Sequence, residues 1–478
     1  MQNVCLFGDF FTDGNFGRLP YSFIDPLADE FQILLYVPYS LNNIESNIYK
    51  RLTNRTKVIP WSPQYHQFPS YPQLNSEFSL SAYDMHHITY QYARLYRDSE
   101  SCNFAHEVIS IYGSIGYWIN VLSTLNIDVA ISMFPPHFVY DYTFFIACKF
   151  LDIPFRTFNP ISVNPERKFL FDLKYKLPIK TKPEADASNE LKINLSSLHF
   201  ESAPFQSYTK NSLGIQQSVK QHAKQILISG FYSDTNCADY ACYFNSMVKE
   251  YQSAIIDSSA RLLSSKQNNS KCILVTLHMQ PEASTSPCGI FPDQRSAIYA
   301  LAASFPDHLI IVKEHPIQML FLTPNRAHLY SHKTGFRFKS YYRSLLSCKN
   351  ICFVRASIPV NQIIEDYNLS ALATYSGSPA LSALVKKIPV ISFGIAAYTG
   401  YAGVINANKS FPANISIHLE NAKNYLVKLD NIDKDLEVYM DSISFTWHFA
   451  QTDRNGKDID LNQLYTETRF ALNFASRV

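Results

Sequence analysis

The chain has 478 residues, 46% of them hydrophobic and 17% charged, so it folds, and it is long enough to call for about two or three domains rather than one core. Its net charge of +2 gives no electrostatic case for a nucleic-acid partner, and no run of about 18 apolar residues marks a membrane-spanning helix. The nine cysteines are scattered from Cys5 to Cys352 with no CxxC pair and no Cys/His spacing of a metal site, which suits reduced thiols in a cytosol.

Asn3 to Phe7 reads as a first strand, and the N-terminus lacks the basic flank of a signal peptide. Gly8-Asp9 and the stretch from Asp13 to Gly17 follow. They form either a plain turn or a close backbone approach to a ligand, and they are not a GxGxxG fingerprint. Phe31 to Val37 is a second strand, and residues 38–80, rich in Pro, Asn, Ser and Tyr, read as irregular. Ser81 to Arg97 and His106 to Leu125 predict helices; adjacent His86 and His87 do not share a helix face and so do not pair on a metal. Asp128 to Met133 is a strand, Tyr142 to Leu151 a helix, and another strand starts at Ile153. His137 and Asp141 fall between that strand and helix, where a site would be built, although an Asp at a helix start is also ordinary capping.

From residue 157 to 210 the α/β rhythm is lost: Pro160, Pro165, Pro178 and Pro183, many lysines and a Ser-rich stretch near Ser196 read as an insertion or interdomain segment. Gln216 to Ile228 and Tyr240 to Ser264 read as helices, and polar Lys266 to Ser270 separates them from a second domain. There Lys271 to Leu277 is a short apolar strand ending in His278, Gln280, Glu282, Ser284, Thr285 and Ser286. Asp293 to Ser304 has helical spacing, and His308 to Val312 is a strand ending in Lys313-Glu314-His315-Pro316. Parallel sheets place ligands at the carboxyl ends of strands, where both polar clusters lie. Beyond a segment Arg337 to Leu346, strands are expected at Ile351 to Val354, Leu372 to Thr374 and Val390 to Phe393, with helices at Pro359 to Tyr367 and Leu381 to Lys386. Residues 430–478 read as mixed and helical in part. Ser376-Gly377-Ser378, two hydroxyls and a glycine before a helix start, suit an anion, or are a capped turn.

Gln280-Pro281-Glu282-Ala283-Ser284-Thr285, Asp293-Gln294, Lys313-Glu314-His315-Pro316 and the stretch from Thr374 to Gly394 resemble, as a set, motifs of bacterial capsule and surface-polysaccharide glycosyltransferases related to retaining β-Kdo transferases. In that family the motifs read roughly QPEAT, P-x-DQ and KEHP. The resemblance covers about residues 270 to 405 well and the rest loosely. It implies a GT-B-like α/β fold, two facing Rossmann-like domains with the active site in their cleft. Residues 1–160 would then be the acceptor domain, 161–269 an insertion or helical interdomain segment, 270–420 the donor-nucleotide domain, and 421–478 a segment packing back on the first domain.

The same resemblance implies a cytoplasmic enzyme of capsule or lipopolysaccharide synthesis. It would transfer Kdo or a related ulosonic acid from a CMP-sugar, with retention, to a glycan or glycolipid acceptor. Peripheral association with the inner membrane stays open, no nucleic acid is involved, and a donor with one phosphate needs no metal or other cofactor. By resemblance His315 meets the nucleotide phosphate, with Lys313 or Glu314 orienting it and Pro316 opening the next helix. Glu282 is the candidate nucleophile and Asp141 the second catalytic group. His278 and Gln280 are hydrogen-bonding supports for the donor, and Ser376, Gly377 and Ser378 an anion cradle. One departure stands out: the family's TGT-x-G-x-EAL has a Glu for ribose where this chain has Ser382, and a Gly where it has Ala380. Ribose contact would then come from elsewhere, such as Glu365, or the donor differs. The alternatives are a transferase of the same fold using a UDP- or GDP-sugar or CDP-glycerol, and a non-catalytic glycan-assembly protein derived from one.

Overall fold

A computed structural model describes residues 2–8, 10–12, 19–20, 24–38, 56–59, 79–95, 104–136, 139–161, 164–181, 234–278, 280, 285–315, 337, 340–410, 415–446 and 460–477. It divides into two compact units. The first comprises Met1–Gln91, Ser101–Lys192 and Glu437–Val478, and the second Tyr92–Glu100 and Ile193–Leu436.

Up to residue 178 the described elements are β1 (Val4–Phe7), β2 (Phe11–Thr12), β3 (Leu19–Pro20), α1 (Ile24–Phe31), β4 (Ile33–Val37), β5 (Lys57–Val58), α2 (Ala82–Leu95), α3 (Phe104–Thr124), β6 (Val129–Ser132), α4 (Val139–Phe150), β7 (Phe155–Ile161), β8 (Asn164–Asp172) and β9 (Leu177–Pro178). Then come α5 (Asp234–Gln267), β10 (Cys272–Thr276), α6 (Gln294–Ser304), β11 (Leu309–Lys313), α7 (Tyr341–Leu346), β12 (Ile351–Val354), α8 (Val360–Asp366), β13 (Leu369–Thr374), α9 (Pro379–Val385), β14 (Val390–Ser392) and β15 (Val404–Asn406). The chain ends with α10 (Ala407–Ser410), α11 (Ile415–Lys428), α12 (Ile432–Ser442), β16 (Ser444–Thr446) and α13 (Leu461–Arg477). Among the described residues no helix is long and apolar enough to cross a membrane.

The sheet of the second unit runs β12-β11-β10-β13-β14-β15, parallel throughout. Numbered in chain order, that is the doubly wound sequence 3-2-1-4-5-6, and winding reverses between β10 and β13. Its first three strands in chain order read CILVT, LIIVK and ICFV. Such unbroken apolar runs are what a parallel strand needs when helices cover both faces. Ile273, Val275, Ile310, Val312 and Phe353 form one core with Ile298 and Leu301 of α6. The edge strand β12 is finished by α5: the Phe353 N–H donates to Ser258 Oγ (2.8 Å), and the Tyr251 hydroxyl donates to the Val354 carbonyl (2.8 Å).

The sheet of the first unit contains β5-β4-β1-β6-β7, all parallel, so it too is wound 3-2-1-4-5, reversing between β1 and β6. Both units are therefore Rossmann-like, the fold class that the sequence implies. Past β7 the first sheet changes character: β8 is antiparallel to β7, and β16 is antiparallel to β8. Asn164–Asp172 and Leu177–Pro178, within the stretch read as an insertion or interdomain segment, are thus strands. The prolines are tolerated because the register shifts at Pro160/Ile161, and a bulge dispenses with one ladder donor. From the C-terminal stretch, Leu464, Ala471, Leu472 and Ala475 share a core with Val4, Leu6 and Ile131.

Candidate functional site

The site is assembled from the carboxyl ends of three adjacent strands in the second unit. Register puts Thr276 beside Lys313 and Val275 beside Ala373, so β10, β11 and β13 end level with one another. They are followed by Leu277 and His278, then Glu314 and His315, then Tyr375 and Ser376. The rings of His278 and His315 lie 6.4 Å apart between centroids. His278 reaches across the point where the winding reverses: its Nε2 accepts the Ser376 N–H (3.2 Å) and lies 3.4 Å from Thr374 Oγ1. Gly377 is required by the same contact. A Cβ there would lie 2.8 Å from Thr374 Oγ1 and 3.1 Å from His278 Nε2. Its carbonyl accepts from the Tyr398 hydroxyl (2.9 Å).

The backbone of His278 is pinned on both sides by one buried amide. Gln294 Oε1 accepts the His278 N–H (3.0 Å), and Gln294 Nε2 donates to the His278 carbonyl (2.9 Å). Gln294 is held by the start of α6, where Asp293 Oδ1 caps the Arg295 N–H (2.9 Å).

Glu314 is fully buried, and its carboxylate meets Arg337: Nε donates to Oε2 (2.9 Å) and Nη2 to Oε1 (2.8 Å). The Tyr342 hydroxyl donates to Oε2 (2.9 Å), and the His315 N–H donates to Oε1 (3.0 Å). Arg337 continues to β10's end, donating from Nη1 to Gln280 Oε1 and from Nη2 to the His278 carbonyl (3.4 Å). Its guanidinium carbon stands 4.8 Å from the centre of the Tyr341 ring. Burial by itself would lower the guanidinium's pKa; the Glu314 carboxylate and the Tyr341 and Tyr342 phenols outweigh it, and the group stays charged well above its ordinary value. Burial, then the Glu314 charge, pushes the Tyr342 phenol well up, so it remains a donor. Glu250 fixes the start of α7, which carries both tyrosines, by accepting the Ser340 and Arg343 N–H groups (2.9 Å each).

The sequence-chosen residues are distributed as follows. His278, Gln280, Lys313, Glu314, His315, Ser376 and Gly377 come together at these strand ends. Gln280 is buried and ties the Pro292 carbonyl (2.8 Å) to Arg337. Lys313 is buried and donates to the Ala356 carbonyl (2.7 Å). His315 is half-buried, as are Ser376 and Ser378. Ser378 precedes α9 without a side-chain capping bond, and Pro379 occupies the first turn. Asp141 belongs to the first unit, in the first turn of α4, and is fully buried. Glu282, Pro316 and His137 lie outside the described residues, as does the expected helix from Gln216 to Ile228. Glu365 cannot stand in for the family's ribose carboxylate. It lies in the last turn of α8, which runs from the carboxyl end of β12 to the amino end of β13, so it sits at the far end of the sheet from His278. The sequence reading missed Arg337 and Tyr342, which partner Glu314 across 23 and 28 residues. Gln294 stood in a quoted motif without a role.

No protein-family model matches the chain, and no curated protein does. Solved structures are similar at low identity. A UDP-GlcNAc 2-epimerase from Neisseria meningitidis bound to UDP-GlcNAc is 13% identical, covering 98% of this chain and 100% of that one, with a TM-score of 0.21. The Thermosulfurimonas dismutans KpsC beta Kdo 2,7 transferase is 11% identical, covering 74% and 88%, with a TM-score of 0.27. The beta Kdo 2,4 transferase of the same KpsC is 9% identical, covering 71% and 87%, with a TM-score of 0.27.

Proposed function

We propose that this chain is a glycosyltransferase of capsule or lipopolysaccharide synthesis that takes a CMP-activated ulosonic acid of the Kdo type and passes it, with retention, to a glycan or glycolipid acceptor. One observation carries the reading: at the winding reversal between β10 and β13, His278 binds Ser376 with His315 beside it. Doubly wound sheets bind nucleotides outside that reversal. The His315 ring and the backbone of residues 376–378 are the groups that would meet the donor's phosphate. Two nearby cations, Lys313 and Arg337, are engaged with the protein's own carbonyls and carboxylate, which favours a donor bearing one phosphate over a diphosphate. Glu282, two residues past Gln280, is the proposed nucleophile at the anomeric carbon, and Asp141 the second acidic group.

The test is a thermal-shift panel with CMP, CDP, UDP, GDP and buffer. A ligand specific to the folded state adds about 2.7 kcal/mol at roughly 100 times its dissociation constant. A shift with CMP alone is expected, and His315→Ala should remove it at an unchanged unliganded midpoint. A shift with only UDP or GDP overturns the donor, and one with only CDP points to glycerol phosphate. No shift with any of them moves the reading to a non-catalytic assembly protein. With a CMP-Kdo donor, Glu282→Gln and Asp141→Asn should each nearly abolish transfer while keeping CMP binding; wild-type turnover in either variant removes that residue from the mechanism.

A further inference from the structure

We infer that Glu314 and Arg337 are a positioning pair whose work is to fix the two histidines of the strand-end site. The inference rests on the reading of those strand ends as the nucleotide site, and to the orienting role that the resemblance implies for Glu314 it adds Arg337 and the strand end that carries His278.

The pair is nearly inaccessible: the side chains of Arg337 and Glu314 are 1% and 0% exposed. Neither therefore touches a ligand directly. A buried ion pair is a poor way to gain stability, because desolvating two charges offsets their attraction, and apolar side chains of similar volume do as well or better. What such a pair supplies is direction. The guanidinium is a rigid planar fork of five donors, and here its bonds are shared between two different strand ends. Toward β11 it holds both oxygens of Glu314, and Glu314 Oε1 in turn receives the His315 N–H (3.0 Å). Toward β10 it holds Gln280 Oε1 and the carbonyl of His278 (3.4 Å). The Tyr342 hydroxyl on Glu314 (2.9 Å) and the Tyr341 face against Arg337 (4.8 Å) stop the fork from rotating. The one fork thus spans the gap between the segments that carry His278 and His315. Moving either group moves the spacing of the rings, which is 6.4 Å here.

The decisive variant removes both charges at once, Glu314→Leu with Arg337→Met, so that no unpaired charge is left buried. Its ring Cε1–H resonances are followed in protein labelled at histidine, with His278→Gln and His315→Gln giving the assignments, and CMP is the added probe. The double variant should fold with a thermal midpoint close to wild type. The His278 and His315 resonances should nonetheless shift and broaden, and CMP affinity should fall by about tenfold or more, the scale of one charge-assisted hydrogen bond. A folded double variant in which both rings keep their wild-type shifts and titration overturns the inference. Arg337→Lys is the second variant, since it keeps the charge and loses the fork. The same two resonances should move, and unmoved resonances again overturn the pair's role. Should CMP bind neither wild type nor variants, the nucleotide reading fails, while the ring resonances still decide the positioning role.

Discussion

Both units wind their first strands in the same order, and both have a reversal point, yet the two points are filled differently. In the first unit Phe7, the last residue of β1, packs on Phe144 (4.6 Å between centroids), which meets the Trp118 edge at 5.0 Å. Met133, just past β6, is buried. In the second unit the equivalent strands β10 and β13 are followed by His278 and by Ser376-Gly377-Ser378, all half-buried. Topology alone therefore does not make a site: the side chains just past the strand ends decide whether the reversal is core or binding surface.

The comparison can be broken most strongly in the first unit. Phe144→Ala should cost about 3–5 kcal/mol of unfolding free energy, as deletion of a buried ring from a tight cluster does. CMP affinity of the folded fraction should stay unchanged; a marked loss of affinity would show that the aromatic reversal point also serves the ligand. In the second unit the balance should invert. Gly377→Ala forces a methyl against Thr374 Oγ1 and His278 Nε2, and overpacking of this kind costs about 1–3 kcal/mol. Here CMP affinity should fall by about tenfold or more, because the contact that must yield is the one holding Ser376. Retained affinity would mean that residues 376–378 are only a turn.

The smallest effect concerns acid. His87 is buried against Tyr83 (4.4 Å) and Tyr142 (5.8 Å) in the first unit. Burial, then the charges of Lys176, His86 and Lys149, holds its pKa well below 6.5. The unfolded chain then binds the proton more readily than the folded one. The associated stability is full above the ordinary histidine pKa of about 6.5 and is lost as pH falls below it. His87→Phe should flatten the decline of the thermal midpoint between about pH 7 and about pH 5. An unaltered slope would place that acid sensitivity elsewhere in the molecule.

Much of the second unit could be read from sequence because its information is local. CILVT, LIIVK and ICFV are unbroken apolar runs bounded by polar turns, and the helix from Asp293 carries its own cap. Alternation of such strands with helices is enough to imply a parallel sheet. The hairpin of β7 and β8 was hidden because two prolines sit inside it, and their tolerance depends on a bulge that only pairing reveals. At the site, the strand-end positions of His278 and His315 follow from pattern. The partner of Glu314 does not: Arg337 stands in no periodic segment, and its contact is set by tertiary packing. Helix direction corrects the suggestion of Glu365, since a residue in the last turn of α8 is carried to the amino edge of the sheet.

The edge strand β12 has a consequence for how copies of this protein can meet. Its Phe353 N–H and Val354 carbonyl are answered by Ser258 and Tyr251, side chains of α5 that stand where a neighbouring strand would otherwise supply its main chain. An exposed ladder is a template on which any extended peptide can grow. At this edge the helix α5 already holds two of the rungs, so a nascent or damaged chain that approached from that side would have to displace Ser258 and Tyr251 before it could pair there.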